Sequence, residues 1–201
     1  MTTIAYSNAQ TLFDARKQYF DENHFGDDGG YSKKWVKLMI GPLPMAIPNT
    51  SGRVDAVRFH DLHHVLTGYN TDFAGEFEIS AWELASGCAD KYAAWVLNLG
   101  GMLAGAVIWP RRTWRAWVRG RRSRNLYRVP FEDALLRRTV GDARHQLGLD
   151  LATTPAHFAD ALSYLAFLLL GLLAVVPLYL LMAVPVLLWA LVSVLMVGKL
   201  E

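Results

Sequence analysis

Short amphipathic stretches separated by polar, glycine- or proline-marked breaks fill most of the chain, which then ends in a long run without a polar face. Apolar residues at Leu12, Phe13, Ala15, Tyr19 and Phe20 recur at helical spacing and predict a first helix over 8–22. Paired Asp and Gly make 24–30 a loop. Residues 34–39 are short and ambiguous. Pro42, Pro44 and Pro48 predict irregular chain over 41–50, because proline supplies no N–H and restricts the residue before it.

A helix is expected over 55–66, ending near Gly68. Thr71 or Asp72 can cap the next one by accepting from N–H groups that its first turn leaves unpaired. That helix should run through Trp82 to about Ser86, and another from Asp90 to Trp109. Pro110 opens an arginine-rich segment. Pro130 precedes a helix whose apolar stripe is Phe131, Leu135, Leu136 and Val140, and Gly148 and Pro155 mark a linker. Few segments read as strands. The expected fold class is therefore mainly α, with a helical soluble domain over residues 1–155 and a transmembrane segment over 156–201.

From Leu162 to Val197 no residue is charged. A soluble fold would expose far more apolar surface there than water tolerates, so the run is membrane sequence. As one helix it would be on the order of 54 Å long, against a bilayer core of about 30 Å. A transmembrane hairpin bent near Pro177 or Pro185 is expected, with one long tilted helix as the alternative. The stretch from Tyr92 to Trp109 is also uncharged, with Gly101 and Gly105 at a helix-packing spacing. It suits close helix packing or the wall of a tunnel for an isoprenoid chain.

Charge sharpens this picture because it is segmented. The net charge is only +2, yet Arg111, Arg112, Arg115, Arg119, Arg121, Arg122, Arg124 and Arg128 crowd one stretch. Such a block points to an anionic partner. Tryptophans interleave with the arginines from Trp109 to Trp117, as in a helix lying at a lipid headgroup layer. Nucleic acid is not an expected partner, since no recognised fold or aromatic platform supports it. The lone Cys88 excludes an intrachain disulfide framework. No basic-then-apolar leader opens the chain, and basic residues precede the tail, so the soluble domain is expected on the cytoplasmic face of a membrane.

The candidate chemistry lies in Arg58-Phe-His-Asp-Leu-His-His-Val-Leu-Thr-Gly-Tyr69. His60 and His64 are four residues apart and share one helical face, so their imidazoles can bind one divalent ion. Asp61 is about 100° further round, placed to ligate or to orient an imidazole. Glu76 falls one turn into the following helix, and a tight turn can bring it back beside the two histidines. His63 is offset and is expected to pack or hydrogen-bond elsewhere. Glu78 and Glu83 read as solvated or structural, and Asp72 as a cap.

The spacing His-Asp-x2-His-x11-Glu resembles that of the Coq-four family of ubiquinone (coenzyme Q) biosynthesis proteins. His60, Asp61, His64 and Glu76 fit it without a gap. The words His-Val-Leu-Thr-Gly-Tyr and Asp-Phe-Ala-Gly-Glu, and Arg119-Gly120-Arg121 followed by a helix over 131–149, are similar too. The resemblance covers about residues 10–150, and the apolar tail is not part of the family pattern. It implies a helical, often dimeric protein associated with other quinone-biosynthesis proteins at a membrane. The metal ligands would be His60, His64 and Glu76, with Asp61 as a fourth ligand or proton-handling group, and Asp61 and Glu76 as catalytic residues. The implied reaction is oxidative decarboxylation of a polyprenylated benzoate ring, C1 carboxyl giving way to hydroxyl. The alternative is a non-catalytic scaffold that binds an isoprenoid lipid.

Two histidines and a carboxylate with open positions are the set by which non-haem Fe(II) activates oxygen, whereas zinc there would act as a Lewis acid. His60-Asp61 also looks like the metal-binding pair of HD phosphohydrolases. That reading needs a further His and a distant Asp, for which His24 and Asp90 are the candidates. HDxxH likewise looks like zinc proteases, with Asp61 too short for the general base's place.

Overall fold

Thr11 starts the first helix, its side chain accepting from the Asp14 N–H, and α1 runs Leu12–Glu22. Leu12, Ala15, Tyr19 and Phe20 are buried as the periodicity expects, while Phe13 stays exposed. The computed structural model describes residues 6–40, 43–150 and 155–197.

After α1 the structure departs from the proline-based expectation. Strands β1 (Trp35–Ile40) and β2 (Leu43–Pro48) pair antiparallel, with Trp35 opposite Pro48 and Ile40 opposite Leu43. A two-stranded ribbon has two edges, so prolines can turn their N-less side outward and cost no ladder bond. The Asn49 side chain closes the base, donating to the carbonyls of Gly30 (3.0 Å) and Lys33 (2.8 Å).

Helix α2 (Ser51–Thr67) begins earlier than its apolar pattern suggests, because Thr50 caps it and accepts from the Arg53 N–H. Gly68 ends it at φ +74°, donating its N–H to the His64 carbonyl. That left-handed conformation is cheap only for glycine. Asp72, not Thr71, caps α3 (Phe73–Ser86) by accepting from the Gly75 N–H at 2.8 Å. The chain then forms α4 (Tyr92–Ile108) and α5 (Pro110–Arg121), with proline at the first helical position. Helix α3 packs against both. The bare faces of Gly101 and Gly105 admit Ser80 and Phe77, which is the close packing their spacing predicts. Trp82 and Trp117 are fully buried in this core, and truncating either to Ala would cost about 3–5 kcal/mol.

The helix expected over 131–149 is two pieces, α6 (Asp133–Leu136) and α7 (Val140–Leu147). Thr139 intervenes as the cap of α7, accepting from the Asp142 N–H. Its backbone bridges to Thr11, so it cannot also continue a helix.

The hairpin expected in the tail does not form. Helix α8 (Phe158–Leu170) continues through a π-turn (Gly171–Val175) into α9 (Val176–Val197). The carbonyl that a proline at 177 would crowd belongs to Leu173, inside the wider π-turn, so the helix passes Pro177 without breaking. Pro185 lies within α9. Phe158–Leu178 is long and apolar enough to cross a membrane.

Candidate metal centre

Gly75 lets the turn after α2 fold tightly back onto α3. A Cβ there would lie 2.0 Å from the Asn70 carbonyl oxygen, so only glycine permits the loop to cross the first turn of α3. Glu76, the next residue, is thereby carried back beside α2. His60 Nε2 lies 3.1 Å from His64 Nε2 and 3.4 Å from a Glu76 oxygen, and His64 Nε2 lies 3.3 Å from the other. His60, His64 and Glu76 together form a group able to hold a metal ion.

What points those imidazoles inward is the partner of each far nitrogen. His64 Nδ1 donates to the Tyr69 carbonyl at 2.9 Å, and Tyr19 stacks on the ring at 5.7 Å between centroids. His60 Nδ1 donates to Glu83 Oε1 at 3.0 Å. With both Nδ1 atoms used as donors, both Nε2 lone pairs face each other and the Glu76 carboxylate. Three converging acceptors repel one another unless a cation lies between them. Donors bound about 2.0–2.1 Å from one ion sit roughly 3 Å apart as neighbours in its shell, so the observed spacing fits one metal.

Glu83 anchors the arrangement. It is fully buried, and its two oxygens accept from His60, from His63 Nδ1 (2.6 Å), from Asn98 Nδ2 (2.6 Å) and from the Tyr127 hydroxyl (2.7 Å). His63 Nε2 in turn accepts from the Leu126 N–H at 3.0 Å. Thus His63 does bond elsewhere, as its offset predicts. Glu83 is structural, while Glu78 takes an ion pair with Arg112 at 2.6 Å.

The charges follow from these contacts. Burial alone would raise the Glu83 carboxyl, but the His60 charge and the histidine hydrogen bonds outweigh it and hold Glu83 well below the usual range. Burial would lower His60, and Glu83 outweighs that, raising His60 well above its ordinary value. Burial keeps His63 neutral despite its bond to Glu83. At Glu76 the desolvation is again overcome, chiefly by His64, and the carboxyl is held far down. In the metal-free protein the raised His60 favours its protonated form, whose charge offsets those of Glu76 and Glu83.

Asp61 is buried and turned to a different partner, accepting from the Tyr31 hydroxyl at 2.5 Å. Burial pushes its carboxyl up, and the Tyr31 bond opposes this. It is not among the three groups that converge. The candidates His24 and Asp90 are not in that cluster either. Sequence reasoning did not single out Tyr31, Asn98 or Tyr127, because partners 15 to 44 residues away carry no local spacing.

The fold and site define a mainly helical protein with a possible His/His/Glu metal group spanning two consecutive helices and a long apolar C-terminal helix. No family model, curated protein or solved structure matches the chain.

Proposed function

We infer that the protein is a membrane-anchored metalloenzyme of lipid-quinone biosynthesis, with a divalent ion, zinc or iron, held by His60, His64 and Glu76. The observation that supports this reading most is the pair of locked tautomers. Both Nδ1 atoms are committed to acceptors, which leaves both Nε2 lone pairs facing the Glu76 carboxylate as three donor groups for one ion. The resemblance to the Coq-four pattern supplies the substrate class, a polyprenylated hydroxybenzoate.

In the reaction proposed, the C1–carboxyl bond breaks and the carboxyl leaves as carbon dioxide, while ring C1 bonds a hydroxyl oxygen from water; dioxygen takes up the two electrons and two protons released and leaves as hydrogen peroxide. A redox metal in these ligands would supply oxygen activation. The chain itself orients both imidazoles and keeps Glu76 ionised, and it holds Asp61 and Tyr31 as a hydrogen-bonded pair beside the site to handle a proton. Membrane attachment through the apolar tail would present the lipid substrate.

Metal analysis of the detergent-purified protein beside His64→Ala, with extracted lipids weighed, tests the reading. Near-stoichiometric metal lost in the variant, together with a prenylated aromatic, supports the enzyme. A metal-free protein carrying bulk lipid alone would turn the reading toward a lipid-binding scaffold.

A further inference from the structure

The registers of α4 and α5 against α8 fix which end of the domain faces the tail. Trp95 lies against Phe167 (6.1 Å), and Leu99 and Leu103 lie against Gly171, so α4 runs in the same direction as α8. In α5 the numbers fall as those of α8 rise: Arg122 holds Asp160 (2.8 Å), whereas Trp114 meets Tyr164 (5.2 Å). The turn joining α4 to α5 therefore leads in the direction in which the chain continues into α9.

That leading tip is unusually apolar and exposed. Val107 is 82% and Ile108 56% exposed, and Phe73 at the start of α3 is 68% exposed. Phe77 links Phe73 to Trp109, with centroids 6.3 and 5.7 Å away. Exposed Arg111 and Arg115 follow on α5. Isolated exposed apolar residues need no explanation, but a cluster capped by tryptophan and arginine does. Indole suits the headgroup layer, and guanidinium pairs with lipid phosphate.

We propose that the α4–α5 tip, Phe73, Val107, Ile108 and Trp109 with Arg111 and Arg115, docks into the surface of an anionic bilayer. This rests on the membrane-anchor part of the reading above. Helix α9, about 33 Å long at 1.5 Å per residue, continues the apolar helix that begins at Phe158 and matches a core of about 30 Å, entering it with Trp35 of the β1–β2 ribbon stacked on its Trp189 at 6.3 Å. Phe73 and Glu76 are three residues apart on one face of α3, so the exposed edge of the ligand triangle opens beside the bilayer. A lipid can reach the metal group without crossing water.

Spin labels at Val107→Cys, Leu165→Cys and Leu188→Cys in the full chain, in nanodiscs containing phosphatidylglycerol, test this. Cys88 is buried and leaves the introduced thiols as the labelling sites. The label at 107 should collide severalfold more with oxygen than with a polar nickel chelate, and Arg111→Glu with Arg115→Glu, or phosphatidylcholine alone, should reverse this. Lipid exposure at 188 with water exposure at 107 overturns the proposal while the anchor stands. Lipid at 165 with water at 107 does so too, assigning the contact to the outer face of α8. Water at both 107 and 188 removes the anchor and the docking surface together.

Discussion

His60 Nδ1 and Glu83 Oε1 stand 3.0 Å apart, joining a residue of the ligand triangle to a carboxylate that no solvent reaches. About two turns of α3 separate the roles: Glu76 faces the triangle, and Glu83 fixes the imidazole from behind. Carboxylate–histidine contacts of this kind set the tautomer and raise the basicity of the ligand.

Glu83→Gln should therefore weaken metal binding about 10–100-fold, as loss of such an outer partner does. It also presents an amide N–H₂ to donors, and breaking this buried pair should cost about 3–5 kcal/mol. Chelator competition and urea unfolding measure the two effects. Unchanged metal affinity in a folded variant would refute the orienting role.

The metal-free protein should lose stability as pH rises. The folded pKa of His60 lies above its unfolded value, so its contribution is complete below about 6.5 and disappears as pH climbs through the folded value. Glu76 and Glu83 are shifted down, and their contributions persist above about pH 4.3 and fade only in acid. Metal affinity should rise over the range in which the stability of the metal-free protein falls, since the ion displaces the His60 proton. Thermal melts with and without metal between pH 6 and 9 test this, and parallel curves would count against it.

Asp61→Asn should keep the metal at wild-type stoichiometry, because its carboxylate is turned to Tyr31 and not into the triangle. Tyr31→Phe should cost about 1–3 kcal/mol by leaving that buried carboxylate short of a donor. Loss of metal in Asp61→Asn would instead make Asp61 a ligand.

Gly75→Ala should damage the site through the backbone. The added methyl meets the Asn70 carbonyl, which cannot yield as a side-chain tip can. An overpacking cost of about 1–3 kcal/mol is expected, together with weaker metal binding as Glu76 is pushed from α2. Ala74→Gly, at the neighbouring position, should leave metal binding intact. Equal metal affinity in Gly75→Ala and wild type would show that the close turn does not set the position of Glu76.

Local spacing made much of this legible. A four-residue interval puts His60 and His64 on one helical face whatever surrounds them, and Asp72 caps α3 because its side chain reaches only its own first turn. The uncharged run from Leu162 likewise announces a long apolar helix. The hairpin at 35–48 was hidden because proline argues against strands unless an edge is available, and availability depends on how many strands pair. The tail's unbroken helical path past Pro177 needed the π-turn, which sequence does not announce.

By itself, then, the sequence determined the helical class, the paired histidines with a glutamate after a short turn, and the apolar tail. These follow from interactions within a few residues. Only the tertiary structure decided that Glu76 closes the triangle, that Asp61 turns to Tyr31, and that Glu83 gathers four donors from α2, α4 and the segment at 127. Buried polar groups must find partners wherever packing places them, and for Glu83 those partners lie 15 to 44 residues away.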